Sequence, residues 1–221
     1  MVWRSLIVKR LNQSHLIVFA KAPVPGQVKT RLIPSLGALA AARLHENLVW
    51  HSLTTAVDSG VGPVHLWCAP LTEDPFFRRC AHAFAVERCA QTEGDLGRRM
   101  ANALRETLKV ASSALLIGTD CPSLTREDLR AASMALQEEA EAVIGPTEDG
   151  GYALIGLRRM DADLFEGITW GAENVLEETR NRLRALGWKW HELPVRWDID
   201  RLADVERLKK EGFLHLLREI G

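Results

Sequence analysis

Short apolar runs alternate with longer amphipathic stretches along this chain, and that alternation constrains its fold more than any other feature. A brief continuous apolar run bounded by turn residues suits a strand covered on both faces, and the amphipathic segments suit the helices that cover it. Repeated in this order, the two patterns predict βαβ units and an α/β fold with a mostly parallel sheet. Strands are predicted over Leu16–Ala20, Val64–Ala69, Phe84–Glu87, Ala114–Gly118, Ala142–Pro146 and Tyr152–Leu157. Two later runs, Trp188–Leu193 and Val195–Trp197, complete the set. Helical periodicity predicts helices over Gly37–Val57, Leu96–Val110, Leu124–Glu139, Ala172–Leu186 and Asp204–Arg218. The third has Ser123 and Thr125 as capping choices with Glu127 and Asp128 in its first turn. The fourth stops at Gly187, a residue suited to the left-handed conformation after a helix. No internal repeat, low-complexity tract or long linker interrupts the pattern, so one domain over residues 1–221 is expected.

Composition narrows the function. A formal net charge of -1 offers no basic excess, which disfavours a nucleic-acid surface but leaves room for a local phosphate-binding cluster. No apolar run approaches the roughly 18 residues of a membrane span. The opening Met1–Arg10 is basic, but its apolar run is too short for a signal peptide. Cys68, Cys80, Cys89 and Cys121 form no C-x-x-C pair, and buried thiols in a reducing compartment are expected. The expected location is therefore the cytoplasm.

In open α/β sheets ligands bind beyond the carboxyl ends of the strands, so the residues that follow each strand are the ones to read for chemistry. After the first comes Lys21-Ala-Pro-Val-Pro-Gly-Gln-Val-Lys-Thr-Arg-Leu32. Lys21, Lys29 and Arg31 put three cations on a loop without an acid, stiffened by prolines and opened at Gly26 to close backbone approach. Such a loop suits a polyphosphate, or else is a solvated basic turn. It is not a Walker A loop. After the fourth strand, Asp120 stands where a metal ligand is common, with helix capping as the alternative. A divalent metal with retained waters needs only one or two such carboxylates plus phosphate oxygens. Cys121 beside it has no neighbouring base to lower its pKa and is read as structural.

Thr147-Glu-Asp149-Gly150-Gly151-Tyr152 sits between two strands, as a tight turn or a turn that also lines a ligand. The stretch from Gln91 through Gly94, Asp95 and Gly97 to Met100 opens a helix whose backbone N–H groups suit a base or phosphate. Asp198 and Asp200, one residue apart before the last helix, suit a further metal ligand or that helix's N-cap. The histidines are scattered, and no H-E-x-x-H, G-x-S-x-G or G-x-G-x-x-G occurs.

Taken together, Phe19–Leu32, Gly94–Met100, Gly118–Pro122, Glu148–Tyr152 and Trp197–Asp200 resemble, in the same order, the motifs of the DUF2064 family. These are glycosyltransferase-like proteins linked to radical-SAM, arsenosugar and seleno-domain systems. The resemblance spans roughly residues 15 to 210 and implies the GT-A, nucleotide-diphospho-sugar transferase fold with helices on both faces of a mixed sheet. It implies Mg²⁺ or Mn²⁺ on Asp120 and Asp200, with Asp198 competing for the second place because Arg201-Leu202-Ala203 departs from the usual late motif. It further implies that Lys29, Arg31 and Asp149 serve catalysis. Lys21, Gly26, Gln91, Gly94, Asp95, Gly97, Gly150 and Gly151 would border the nucleotide. At Ala172 the family often has Thr, so an acceptor contact is expected to differ. The basic loop and the Asp-Gly-Gly turn also resemble phospholactate guanylyltransferases, which transfer a nucleotidyl group. Expected partners are therefore a nucleotide-sugar or nucleoside triphosphate donor and a small acceptor. The alternatives are nucleotidyl transfer with pyrophosphate release, and a nucleotide-binding protein without turnover.

Overall fold

The computed structural model describes residues 14–218, so the basic opening Met1–Arg10 lies outside the described residues. At its centre stands β1 (Ser14–Lys21), whose first seven residues are buried. The other strands are β2 (Val64–Ala69), β3 (Glu87–Ala90), β4 (Ser113–Ile117), β5 (Ala142–Pro146), β6 (Tyr152–Leu157) and β7 (Trp190–Glu192). Among the described residues they form one sheet in the order β3-β2-β1-β4-β6-β5-β7. Neighbours run parallel except at β6, which is antiparallel to both β4 and β5. This is the mixed, mostly parallel sheet expected, with β5 and β6 joined by the turn that carries Asp149.

Because side chains alternate along a strand, β1 divides two cores. Leu16, Val18 and Ala20 pack on one face with Leu53, Phe77, Leu129 and Leu136. Ile17 and Phe19 pack on the other with Met100, Leu104 and Leu183. The covering helices are α1 (Ile33–Leu36), α2 (Ala38–Ser59), α3 (Pro75–Phe84), α4 (Leu96–Leu108), α5 (Arg126–Glu138), α6 (Val175–Ala185) and α7 (Leu202–Lys210). A third cluster joins Leu44 and Leu48 of α2 to Trp197, Ile199 and the helix α7. Among the described residues no helix is long and apolar enough to cross a membrane.

Three expectations need correction. The strand predicted over Phe84–Glu87 begins only at Glu87, because Phe84 closes α3, whose Phe76, Phe77 and Cys80 are buried. Asp74 caps that helix through Phe76 N, and Ala85 ends it in the left-handed conformation. The run Val195–Trp197 is no strand: Arg196 alone bridges to Thr147. The last helix stops at Lys210 rather than Arg218, since Gly212 takes a φ of 87° and a short 3-10 turn, Leu214–Leu217, follows. Helix α5, by contrast, starts at the capping box formed by Thr125 and Asp128.

Candidate functional site

A cavity of about 470 Å³ opens at the carboxyl ends of β1 and β4 and beside the β5–β6 turn. Three connections meet there and are sewn together by hydrogen bonds. Ile199 N donates to the Asp120 carbonyl (2.9 Å), and Trp197 N donates to Ser123 Oγ (3.0 Å), which donates back to the Trp197 carbonyl (2.9 Å). Arg196 forks onto buried Asp128 at 2.9 and 2.7 Å, and its backbone N–H donates to the Pro146 carbonyl. The late acidic segment is thereby laid across the strand ends, between the β4 loop and the β5–β6 turn.

Lys21, Lys29, Gln91, Asp120, Asp149, Gly151 and Asp198 all line the cavity. Lys29 adopts a left-handed φ of 48° and carries a side chain only 4% exposed. Its ammonium meets Asp120 Oδ1 at 2.7 Å and donates to the Ile199 carbonyl. Burial opposes ionisation of Asp120, but Lys29, backed by Lys21, outweighs it and holds the carboxyl below the usual range. Asp198 is the opposite case. Burial, reinforced by Asp149 and Asp200, pushes its carboxyl up to about 6. Asp149 Oδ1 accepts from Thr147 Oγ1 (2.6 Å) and Gly151 N (3.0 Å), which fixes it in the turn. Gln91 donates to the carbonyls of Trp67 (2.8 Å) and Ala20 (3.3 Å), tying the ends of β1 and β2.

The remaining sequence candidates do not line the cavity. Arg31 pairs with Asp200 at the surface. Asp95 caps α4 through Arg98 N (2.8 Å). A Cβ on Gly97 would meet Trp170 Nε1 at 2.5 Å, so this glycine serves close packing. Gly150 needs to be glycine twice over: its φ is 85°, and a Cβ would stand 1.9 Å from the Glu173 carbonyl. Gly26 and Gly94 also have positive φ and stay on the exposed loops. From the α4 segment it is Leu96, Arg99 and Met100 that reach the wall.

His45 is a residue that sequence reasoning passed over. It sits on the buried stripe of α2 with Ala41, Leu44 and Leu48. Its Nε2 donates to the Lys21 carbonyl (3.0 Å) while Nδ1 stands 3.9 Å from Asp120. Burial lowers its pKa, so the ring stays neutral and steadies the start of the basic loop. The one available signal was a polar residue at an apolar helical position. Cys121, read as structural, is buried and its thiol is pushed up to about 11 by burial.

The donor chemistry suits a hard cation. Asp120 and Asp198 offer carboxylate oxygens to one cavity, and a cation would offset the burial, and after it the repulsion from Asp149 and Asp200, that raise Asp198. Asp200, bound to Arg31, fits that role less well.

A family model described as an uncharacterized protein conserved in bacteria, DUF2064, matches residues 52–172. Comparison with curated proteins gives no match. Among solved structures, a candidate nucleotide-diphospho-sugar transferase from Desulfovibrio desulfuricans superposes with a TM-score of 0.81 at 28% identity, covering 95% of this chain and 98% of that one. The 4-diphosphocytidyl-2C-methyl-D-erythritol synthase of Anaerococcus prevotii superposes with a TM-score of 0.59 at 11% identity, over 95% and 99% of the two chains. The manganese complex of Rv0371c from Mycobacterium tuberculosis gives 0.52 at 17% identity, over 90% and 98%. The fold is thus that of the nucleotide-diphospho-sugar transferases.

Proposed function

We propose that this chain, which belongs to the DUF2064 family, is a transferase that uses a nucleotide-activated donor and moves a glycosyl group from a nucleotide-diphospho-sugar to a small acceptor. The observation that carries this reading is the meeting of Lys21 and Lys29 with Asp120, Asp149 and Asp198 in one cavity beyond the strand ends. Cations and carboxylates so arranged suit a diphosphate with its counter-ion, whereas either set alone would not. The likeness to the Desulfovibrio protein along nearly the whole chain supports a sugar nucleotide as donor.

In this reading Asp120 and Asp198 hold Mg²⁺ or Mn²⁺, which when bound neutralises charge on the departing diphosphate. The all-oxygen donor pair supports a hard cation, and a fold relative binds manganese. Lys21, Lys29 and Arg99 bind phosphate oxygens by charge-assisted hydrogen bonds. They stand ready before reaction, so the charge that develops on the leaving group meets donors already oriented. Gln91 braces the strand ends against which the nucleotide lies. Asp149, held by Thr147 and Gly151, orients a hydroxyl of the sugar or acceptor.

A second reading is nucleotidyl transfer. It is favoured by Lys21 at the end of β1 and Lys29 on the loop that follows, both lining the cavity, where a departing pyrophosphate would meet two cations. The two reactions break different bonds, the sugar C1–O bond or the bond at the α-phosphorus. The test offers small acceptors with sugar nucleotides in one series and nucleoside triphosphates in another, with and without Mg²⁺ or Mn²⁺. Metal-dependent, acceptor-dependent release of nucleoside diphosphate is expected from the first series. Pyrophosphate from the second, with no diphosphate from the first, would establish the alternative. Tight donor binding with no leaving group in either series would instead reveal a nucleotide-binding protein without turnover.

A further inference from the structure

We propose that the other end of the sheet carries a separate metal site, built by His65, Glu87 and Cys89, that takes a borderline transition-metal ion such as Zn²⁺. His65 belongs to β2, while Glu87 and Cys89 belong to the four-residue edge strand β3. The parallel register pairs His65 with Glu87 and Trp67 with Cys89. Since side chains alternate, all three project from the face that carries Ile17, Phe19 and Trp67. One ligand atom from each lies within 4.8 Å of the other two.

The nitrogen and oxygen donors already stand at the spacing of a loaded site, with the sulfur within 4.8 Å of both. His65 Nδ1 stands 3.4 Å from Glu87 Oε2. Two ligands bound at about 2.0–2.2 Å to a tetrahedral ion are separated by about 3.3–3.6 Å. Nitrogen, oxygen and sulfur donors together select zinc-like ions over magnesium or calcium, and three protein ligands leave a fourth position for water. The histidine is also oriented from behind. His65 Nε2 lies 3.1 Å from His15 Nδ1, and the two rings stack with centroids 5.2 Å apart. With Nδ1 on a metal, Nε2 keeps its proton and donates to His15, which fixes the tautomer and the ring plane. A cavity of about 410 Å³ borders His15, His65 and Glu87. It lies towards the amino ends of the strands, whereas the donor cavity lies beyond their carboxyl ends. The simpler account is an ion pair between His65 and Glu87, but that pair has no use for sulfur. The metal would fasten β3, an edge strand held by one neighbour, to β2.

The experiment uses the full-length protein, stripped with a chelator and loaded with Co²⁺ as a spectroscopic probe, with Zn²⁺-dependent thermal shifts beside it. A sulfur-to-cobalt charge-transfer band with tetrahedral ligand-field bands is expected. Cys89→Ser should remove the charge-transfer band and weaken Zn²⁺ at this site by at least about tenfold, and Asp120→Asn, which belongs to the other cavity and offers no sulfur, should leave the charge-transfer band intact. Glu87→Gln, at an exposed position that cannot disturb the core, should also reduce the Zn²⁺ shift, so the result does not hang on how the serine variant folds. The proposal fails if the wild-type protein shows no sulfur band, if the band survives Cys89→Ser, or if the band disappears in Asp120→Asn but is unchanged in Glu87→Gln.

Discussion

The floor and the rim of the carboxyl-end cavity are built from the same chemistry and differ in how deeply the cation is buried. On the floor Lys29 meets Asp120; at the rim, two residues further along the same loop, Arg31 meets Asp200. The Lys29 side chain is 4% exposed and that of Arg31 is 65% exposed. Water screens the outer pair, while Lys29 sits where protein dipoles have replaced much of the solvent and its partner Asp120 opens to the cavity. A basic loop read as a unit therefore divides into one cation able to act on a ligand and another whose neighbour is mainly water.

The largest effects should come from the floor. Asp120→Asn keeps the shape of the side chain but removes the charge that a metal and Lys29 both use. Turnover should fall by about a hundredfold or more, the scale of losing a principal electrostatic group, and the melting temperature should fall as well, because the depressed Asp120 carboxyl stabilises the fold and buried Lys29 loses its partner. Lys29→Ala should weaken a nucleoside diphosphate by roughly tenfold to a hundredfold, because a charge-assisted hydrogen bond is worth about 1.5–3 kcal/mol, and should leave the bare nucleoside almost unaffected. Calorimetry with the diphosphate and the nucleoside side by side reads that difference. Equal losses for both ligands would mean that Lys29 shapes the loop rather than holding phosphate.

How much of this was legible follows the same division. Strands β2, β5 and β6 begin and end where the apolar runs do, because each run is bounded by turn residues. Helix α3 escaped although Asp74 and Pro75 form a good start, since its ten residues carry Phe76, Phe77 and Cys80 in a pattern too short to separate from a strand. In the site, each motif could be read because it follows a strand. Which member of a motif faces inward could not. The left-handed backbone at Lys29 turns one cation in, and no local signal requires it. Asp198 and Asp200 do flank the buried Ile199, as an extended run demands, yet the cavity reaches only Asp198. His45 enters the site from a helix, and a reading confined to strand ends passes over it.

A smaller effect, of unusual sign, belongs to Asp198. Its carboxyl is pushed up to about 6 from an ordinary 3.8 by burial and then by Asp149 and Asp200. A group with a raised folded-state pKa takes up its proton in the folded state first. It therefore adds stability as pH falls from above 6 towards 4, and takes it away as pH rises. Asp198→Asn should make the metal-free protein more stable at pH 7.5, by about 1–2 kcal/mol after allowance for solvent screening, and should abolish metal binding. Melts in EDTA at pH 7.5 and pH 5 give the check, since the gap between wild type and variant should close at the lower pH. Metal affinity of the wild type should meanwhile drop roughly tenfold per pH unit below 6, as one proton competes for the ligand. A gap that stays constant with pH would show that Asp198 is already compensated.

The smallest effect should come from the rim, and it is the sharper test of the comparison because it forecasts near-silence. Arg31→Ala removes a guanidinium that is mostly in water and leaves Asp200 hydrated, so the fold should lose no more than about 0–1 kcal/mol. Asp200 keeps its backbone bond to Asp204 Oδ2 at 2.9 Å, which holds the start of α7 whether or not Arg31 is present. Donor binding should change by only a few-fold, and that change should shrink with added salt, since the Debye length is about 8 Å at physiological ionic strength. Binding constants for a nucleoside diphosphate, taken for Lys29→Ala and Arg31→Ala across a salt series, separate the two cations directly. A loss in Arg31→Ala that equals the Lys29 loss and persists at high salt would mean that the rim closes over the donor. The pair with Asp200 would then be the resting position of a residue that works on phosphate.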